Sequence, residues 1–215
     1  MKKIIILIFI IFSMNLLQAA VGCSLNEPDK EVKRFFPSST GYKTEYISIA
    51  SRGGEETAKL IETNLRDTLN PKYEGLSVDY SYYTILKGKE IIGRIHGVNQ
   101  KGIFGGMQLI LATDTTGIIV GFFIQKISSP HSKKFKNKNF TDQFIELSLQ
   151  DFNDFHNKVE NNKISKIKTP SEKYKNDFDN LIRGLNKNMI LLDIFKLDKK
   201  NLAMNKTNKK GELKK

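Results

Sequence analysis

YYTILKGKEIIGRIHGVNQKGIFGGMQLILATDTTGIIVGFFIQ, residues 82–125, decides the fold. Short runs rich in β-branched and aromatic residues alternate with Gly, Asn, Asp and Lys clusters, the pattern of consecutive antiparallel strands joined by turns. Four strands are expected in a meander: Tyr82 to Leu86, Glu90 to Val98, Met107 to Thr113 and Ile118 to Ile127. Met107, Leu109 and Leu111 alternate with Gln108, Ile110 and Ala112, so one face is strongly apolar and the other mixed. Such a sheet needs a cover on at least one side. Gly93, Gly97, Gly105, Gly106 and Gly121 fall in or beside these strands, where glycine weakens the element unless it serves a bulge, a bend or a body lying close to the backbone. A flat ligand is one such body.

Outward from this stretch, a helical stripe of Leu60, Ile61, Leu65 and Leu69 predicts an amphipathic helix over Glu55 to Asn70, seated on the sheet and ended by Asn70-Pro71. Tyr46 to Ala50 reads as an edge strand. Glu31 to Phe36 reads as a short helix stopped by Pro37. Ser148 to Asn157 forms another, with Ser148 as cap and Asp151 in the capping-box position. A last helix is expected from Thr169-Pro170-Ser171-Glu172, carrying Tyr174, Phe178, Leu181, Ile182, Leu185, Met189 and Leu192; Gly184 marks a kink or a close contact. The class is α+β, a twisted antiparallel meander of about four or more strands flanked by helices.

Composition sets wider bounds. The chain has 215 residues, a formal net charge of +12 and no tryptophan, enough length for one domain plus extensions. The positive charge is mostly lysine spread over loops and the tail, with no basic stripe interleaved with aromatics, which argues against nucleic acid as a partner. Met1-Lys2-Lys3, the apolar run Ile4 to Leu17 and the small residues Ala20-Val21-Gly22 form an export signal, too short to span a bilayer. The only cysteine, Cys23, follows at once. This arrangement resembles the bacterial lipoprotein signal, whose lipobox ends in a cysteine that becomes the lipidated first residue; Ala20 is a permitted, not the favoured, residue at its start. The resemblance implies lipidation at Cys23 and a membrane-anchored protein of the cell envelope, facing the periplasm or the exterior. The expected organisation is a signal peptide over residues 1–22, a tether with a short helix over 23–44, one domain over 45–197 and a basic, disordered tail over 198–215.

No established catalytic constellation appears. His96, His131 and His156 show no metal-ligand spacing, and there is neither a G-x-S-x-G elbow nor a phosphate loop. After the fourth strand, Ser128-Ser129-Pro130-His131-Ser132-Lys133-Lys134 combines hydroxyls, amides beside a proline, and lysines, a composition able to receive a phosphate or simply to be solvated.

From Tyr83 to Phe144 the order of motifs resembles the FMN-binding domain family, which includes the flavin-carrying subunits of the Rnf complex and of the sodium-pumping NADH:quinone reductase. Its "y.v.k.gk.vG" hairpin is similar to Tyr83 through Gly93, and its glycine-rich strand start to Gly102-Ile103-Phe104-Gly105-Gly106-Met107. An Asp-x-x-Gly turn follows at Asp114 to Gly117. The family's "ETPGLG" loop and "F..QF" box correspond to Ser128 to Lys133 and to Phe140-Thr141-Asp142-Gln143-Phe144. The resemblance implies FMN held noncovalently for electron transfer with a redox partner protein, against Gly102, Phe104, Gly105 and Gly106, with Ser129, Pro130, Ser132 and Gln143 contributing to the site. Two departures stand out. His131-Ser132-Lys133 replaces the family's Gly-Leu-Gly, and Lys168 holds the place of the SGAT threonine that can carry FMN covalently, with Thr169 one residue away. These departures favour a second class of function, a non-redox scaffold or binding lipoprotein that keeps the fold without the flavin. A third reading is a basic module docking on an anionic surface through its lysines.

Overall fold

The computed structural model describes residues 23–196, so the signal read over residues 1–22 and the tail read over 198–215 lie outside the described residues. Five strands form one antiparallel sheet in sequence order: β1 (Gly41–Ile47), β2 (Tyr80–Lys87), β3 (Glu90–Lys101), β4 (Gly106–Thr113) and β5 (Ile119–Ile127). With the helices α1 (Pro28–Phe35), α2 (Glu55–Leu65), α3 (Pro71–Glu74), α4 (Ser132–Phe135), α5 (Lys138–Thr141), α6 (Leu149–His156) and α7 (Lys175–Phe195), the class is α+β. Among the described residues no helix is long and apolar enough to cross a membrane.

The last four strands, β2 to β5, stand where the alternation puts them. The turn at Asp114 to Gly117 closes because the Asp114 carboxylate accepts from the backbone N–H of Thr116 and of Ile118, both at 2.9 Å. The edge strand lies earlier than Tyr46 to Ala50, pairing with β2 from Gly41 opposite Leu86 to Ile47 opposite Tyr80. It ends where Ser48 and Ser51 exchange side-chain hydrogen bonds that turn the chain into a 3₁₀ turn. Helix α2 also stops short of Asn70. Arg66 adopts a left-handed conformation at its C-terminus, and Glu62 accepts from the Leu69 N–H, so the last residues fold back rather than extend the helix. At α6, Ser148 caps the helix and Asp151 completes the capping box.

The sheet is covered on both faces. On one, Met107, Leu109 and Leu111 join Tyr80, Tyr82 and Val98 in the main core under α7 and α2. Gly184 lets α7 settle onto the sheet, since a Cβ there would meet Leu109 Cδ1 at 2.5 Å and the Gln100 side chain at 2.9 Å. The C-terminal half of α7 is buried except at Asp193, polar Asn186, Lys187 and Asn188 included.

The other face carries Tyr83, Ile85, Ile95, Ile110 and Ala112, and its cover is the N-terminal segment itself. Cys23, Leu25, Val32 and Phe36 are buried there, with Phe35 packed beside them. Each such side chain removed from water contributes about 1.5–3 kcal/mol, which makes this segment a layer of the folded body and not a free tether. Three strand glycines make room for it: the Phe36 ring fills the space beside Gly93, the Cys23 carbonyl that beside Gly97, and the Phe35 ring that beside Gly121. The body that approaches these glycines is the chain's own.

Candidate functional site

The β3–β4 loop and the segment after β5 meet at one end of the sheet. The Gly102 N–H donates to the Gly105 carbonyl at 2.7 Å, closing a tight loop that needs Gly105 at φ 140°, a conformation other residues avoid. The buried carboxylate of Asp177, in the first turn of α7, accepts from the Ile103 N–H at 2.9 Å and fixes that loop to the helix. Phe104 then lies edge-on to Tyr174 with ring centres 5.5 Å apart, and His131 stands edge-on to the same ring at 4.6 Å. The His131 Nδ1 pairs with Ser171 Oγ at 2.7 Å.

Gly102, Phe104, Gly105, Gly106, Ser129, Pro130 and Ser132 thus converge on one end of the sheet, but the glycines do not open onto a slot. A Cβ at Gly102 would meet Met107 Cε at 2.8 Å and Asp177 Oδ1 at 3.2 Å, one at Gly105 the Ser128 side chain at 3.0 Å, and one at Gly106 the Tyr73 ring at 3.2 Å. The Ser132 N–H is used in a turn to the Ser129 carbonyl at 3.0 Å, and the Ser129 hydroxyl is buried without a partner. The chain's own side chains take the space beside all three glycines.

Gln143 and Thr169 lie in a neighbouring groove of about 300 Å³, together with Lys134, Asn137, Asn139, Phe140, Lys168 and Pro170. Gln143 clamps the groove wall: its Oε1 accepts from the Lys168 N–H at 2.9 Å and its Nε2 donates to the Lys168 carbonyl at 3.4 Å. The Thr169 hydroxyl is also engaged, donating to the Ser171 carbonyl at 3.2 Å and accepting from the Ser171 N–H at 3.3 Å. Lys134 and Lys168 are both exposed and make the groove electropositive. Its chemistry suits an anion.

Two further sets of polar residues escape a reading of the sequence. At the far end of the sheet, Arg94, Thr113, Thr115, Gln150, Met189 and Lys196 are among the residues lining a cavity of about 240 Å³. Under α7, Lys187 Nζ donates to Glu74, to the Asn99 carbonyl at 2.6 Å and to Gln100 Oε1 at 3.3 Å, while Arg183 reaches Glu74 Oε1 at 2.7 Å and Asp67 at 2.5 Å. Burial works to raise the Glu74 carboxyl, but Lys187 and Arg183 outweigh it and hold it below the usual value. Burial pushes Lys187 down to about 8 against the pull of Glu74. The Lys187 and Glu74 side chains are fully enclosed, and the network joins α3, β3 and α7. The signal in the sequence was slight: one lysine between two asparagines, next to the apolar run Met189 to Leu192.

On the opposite face, Cys23 is buried, which pushes its thiol up to about 12. No protein-family model matches the chain, and no curated protein matches it.

Proposed function

We propose that the chain is an envelope lipoprotein whose α+β domain is a non-redox binding module, with the Lys134/Lys168 groove as its seat for an anionic ligand. The observation that carries this reading is the filling of the space beside the glycines: Met107, Ser128 and Tyr73 stand where a side chain at Gly102, Gly105 and Gly106 would lie. The groove, by contrast, offers two lysines and the Asn139 amide at its surface, groups that suit a phosphate or carboxylate. Lipidation of Cys23 would draw its side chain off the sheet, while Leu25, Val32 and Phe36 keep the segment docked.

A second reading, noncovalent FMN for electron transfer, is favoured by one feature. The groove and the half-exposed Phe104 ring lie at the same end, linked through Thr169, Ser171 and His131, so a phosphate in the groove would place a ring near Phe104 and Tyr174. The experiment that separates the two is a flavin measurement on protein purified from its native host and from a recombinant source. FMN is added, the excess removed, and the visible spectrum recorded before and after acid precipitation. The binding-module reading expects no retained flavin in either preparation, with orthophosphate binding that is lost in Lys134→Glu/Lys168→Glu. Flavin in the acid supernatant would overturn it in favour of the second reading, and flavin in the pellet would mean covalent attachment.

A further inference from the structure

Ile103 and Phe104, at the tip of the β3–β4 loop, are 53% and 52% exposed and are the one adjacent pair among the exposed large apolar side chains of the described residues. Exposure of this kind usually reflects chain freedom, but here the loop is held. The Gly102-to-Gly105 hydrogen bond closes its base, Asp177 fixes the Ile103 backbone, and Tyr174 props the Phe104 ring from one side. Two apolar side chains are therefore presented outward by a rigid mount. Contiguous exposed apolar surface marks a site of interaction with a protein or a membrane.

The surroundings distinguish the two. Exposed Lys101 precedes the loop, Lys126 is paired across from Gln108 at the same end of the sheet, Lys133 and Lys134 begin α4, and Lys173 Nζ lies 5.6 Å from the centre of the Tyr174 ring. Of the exposed carboxylates at this end, Asp142 and Asp179 are paired with Lys138 and Lys175, which leaves Asp79 and Glu172. A stable protein partner needs on the order of 800 Å² from each side, far more than two side chains supply. A bilayer makes no such demand, since it accepts protruding apolar groups between headgroups and attracts flanking lysines when those headgroups are anionic.

We infer that the β3–β4 loop is a membrane-docking tip, in which Ile103 and Phe104 enter the interface of an anionic bilayer and the surrounding lysines engage its headgroups. This does not rest on a lipid at Cys23. It adds a second contact to whatever anchor the chain carries, and it sets this end of the sheet, with the electropositive groove, toward the membrane.

The test uses unlipidated protein comprising residues 23–215, which contains every described residue, sedimented with vesicles of phosphatidylglycerol and phosphatidylcholine or of phosphatidylcholine alone. Binding is expected on the anionic vesicles and should weaken as salt rises. Ile103→Ser/Phe104→Ser should weaken it by about tenfold or more with no change in circular dichroism, whereas Phe104→Leu should retain most of it. Equal binding by the parent and the double serine variant would overturn the proposal, as would failure of the parent to bind. If removing residues 197–215 abolishes binding while the double serine change leaves it untouched, the contact belongs to the tail and not to the loop.

Discussion

The carbonyl oxygen of Cys23 occupies the space in which a side chain at Gly97 would stand, and there it accepts a hydrogen bond from Ser81 Oγ at 2.5 Å. Strand β3 and the start of the described chain are therefore matched as surface and cover. Gly97→Val should force the segment off the sheet and destabilise the protein by about 3 kcal/mol, at the upper end of what overpacking costs. Gly41→Ala is the control. Nothing lies within 4 Å of a Cβ at that position, so its urea midpoint should stay close to that of the parent.

The same cover predicts the effect of a deletion. Without residues 23–36, the face bearing Tyr83, Ile85, Ile95, Ile110 and Ala112 would be open to water. That variant should bind 8-anilinonaphthalene sulfonate and aggregate, while Phe36→Ala alone should cost about 3 kcal/mol in chemical unfolding. A deletion variant as soluble and cooperative as the parent would show the segment to be dispensable.

The meander was legible because strand alternation and turn chemistry coincide between Tyr82 and Ile127, and helix α6 because Ser148 and Asp151 spell out its start. The second cover was not. Leu25, Val32, Phe35 and Phe36 are too few, and too widely spaced among polar residues, to show periodicity, and their partners are strands far along the chain. The strand glycines did signal a close neighbour, but a sequence cannot distinguish a ligand from a phenylalanine some sixty residues or more away. The candidate site was legible in part for a similar reason. Motif order brought Phe104, Ser129 and Ser132 to one end of the sheet, whereas Asp177 and Tyr174, which hold that end together, are fixed by the angle at which α7 arrives.

Beneath α7, Glu74 and Lys187 form an ion pair from which water is excluded. Removing one charge strands the other in the core, so Lys187→Met and Glu74→Gln should each cost about 3–5 kcal/mol. The double variant should cost less than the sum of the two, because each single change already incurs the penalty of an unpaired group. Additive losses in the cycle would mean that Arg183, which also contacts Glu74, compensates for the missing lysine.

His96 sets the acid limb of stability. It is wholly buried, its Nδ1 paired with Asn188 Oδ1 at 2.8 Å, its Nε2 without a partner and its ring stacked on Tyr80. Burial lowers its pKa from 6.5 to about 4, the Asn188 contact opposing only in part. Because the folded value lies below the unfolded one, the unfolded chain binds more protons between the two. The contribution is complete above pH 6.5 and is lost as the pH falls toward 4, about 3 kcal/mol in all. His156, lowered by burial and then by Arg66, adds to the loss in the same direction below pH 6.5. The carboxylates of Asp67, Glu74, Asp114 and Asp151, all held below their ordinary values, give up their contributions only at lower pH. Urea midpoints measured at pH 7, 6 and 5.5 should therefore decline in the parent above the range in which those four carboxylates give up their contributions. His96→Gln, which keeps a polar group facing Asn188 but cannot take up a proton, should flatten that decline; an unchanged slope would place the acid sensitivity elsewhere.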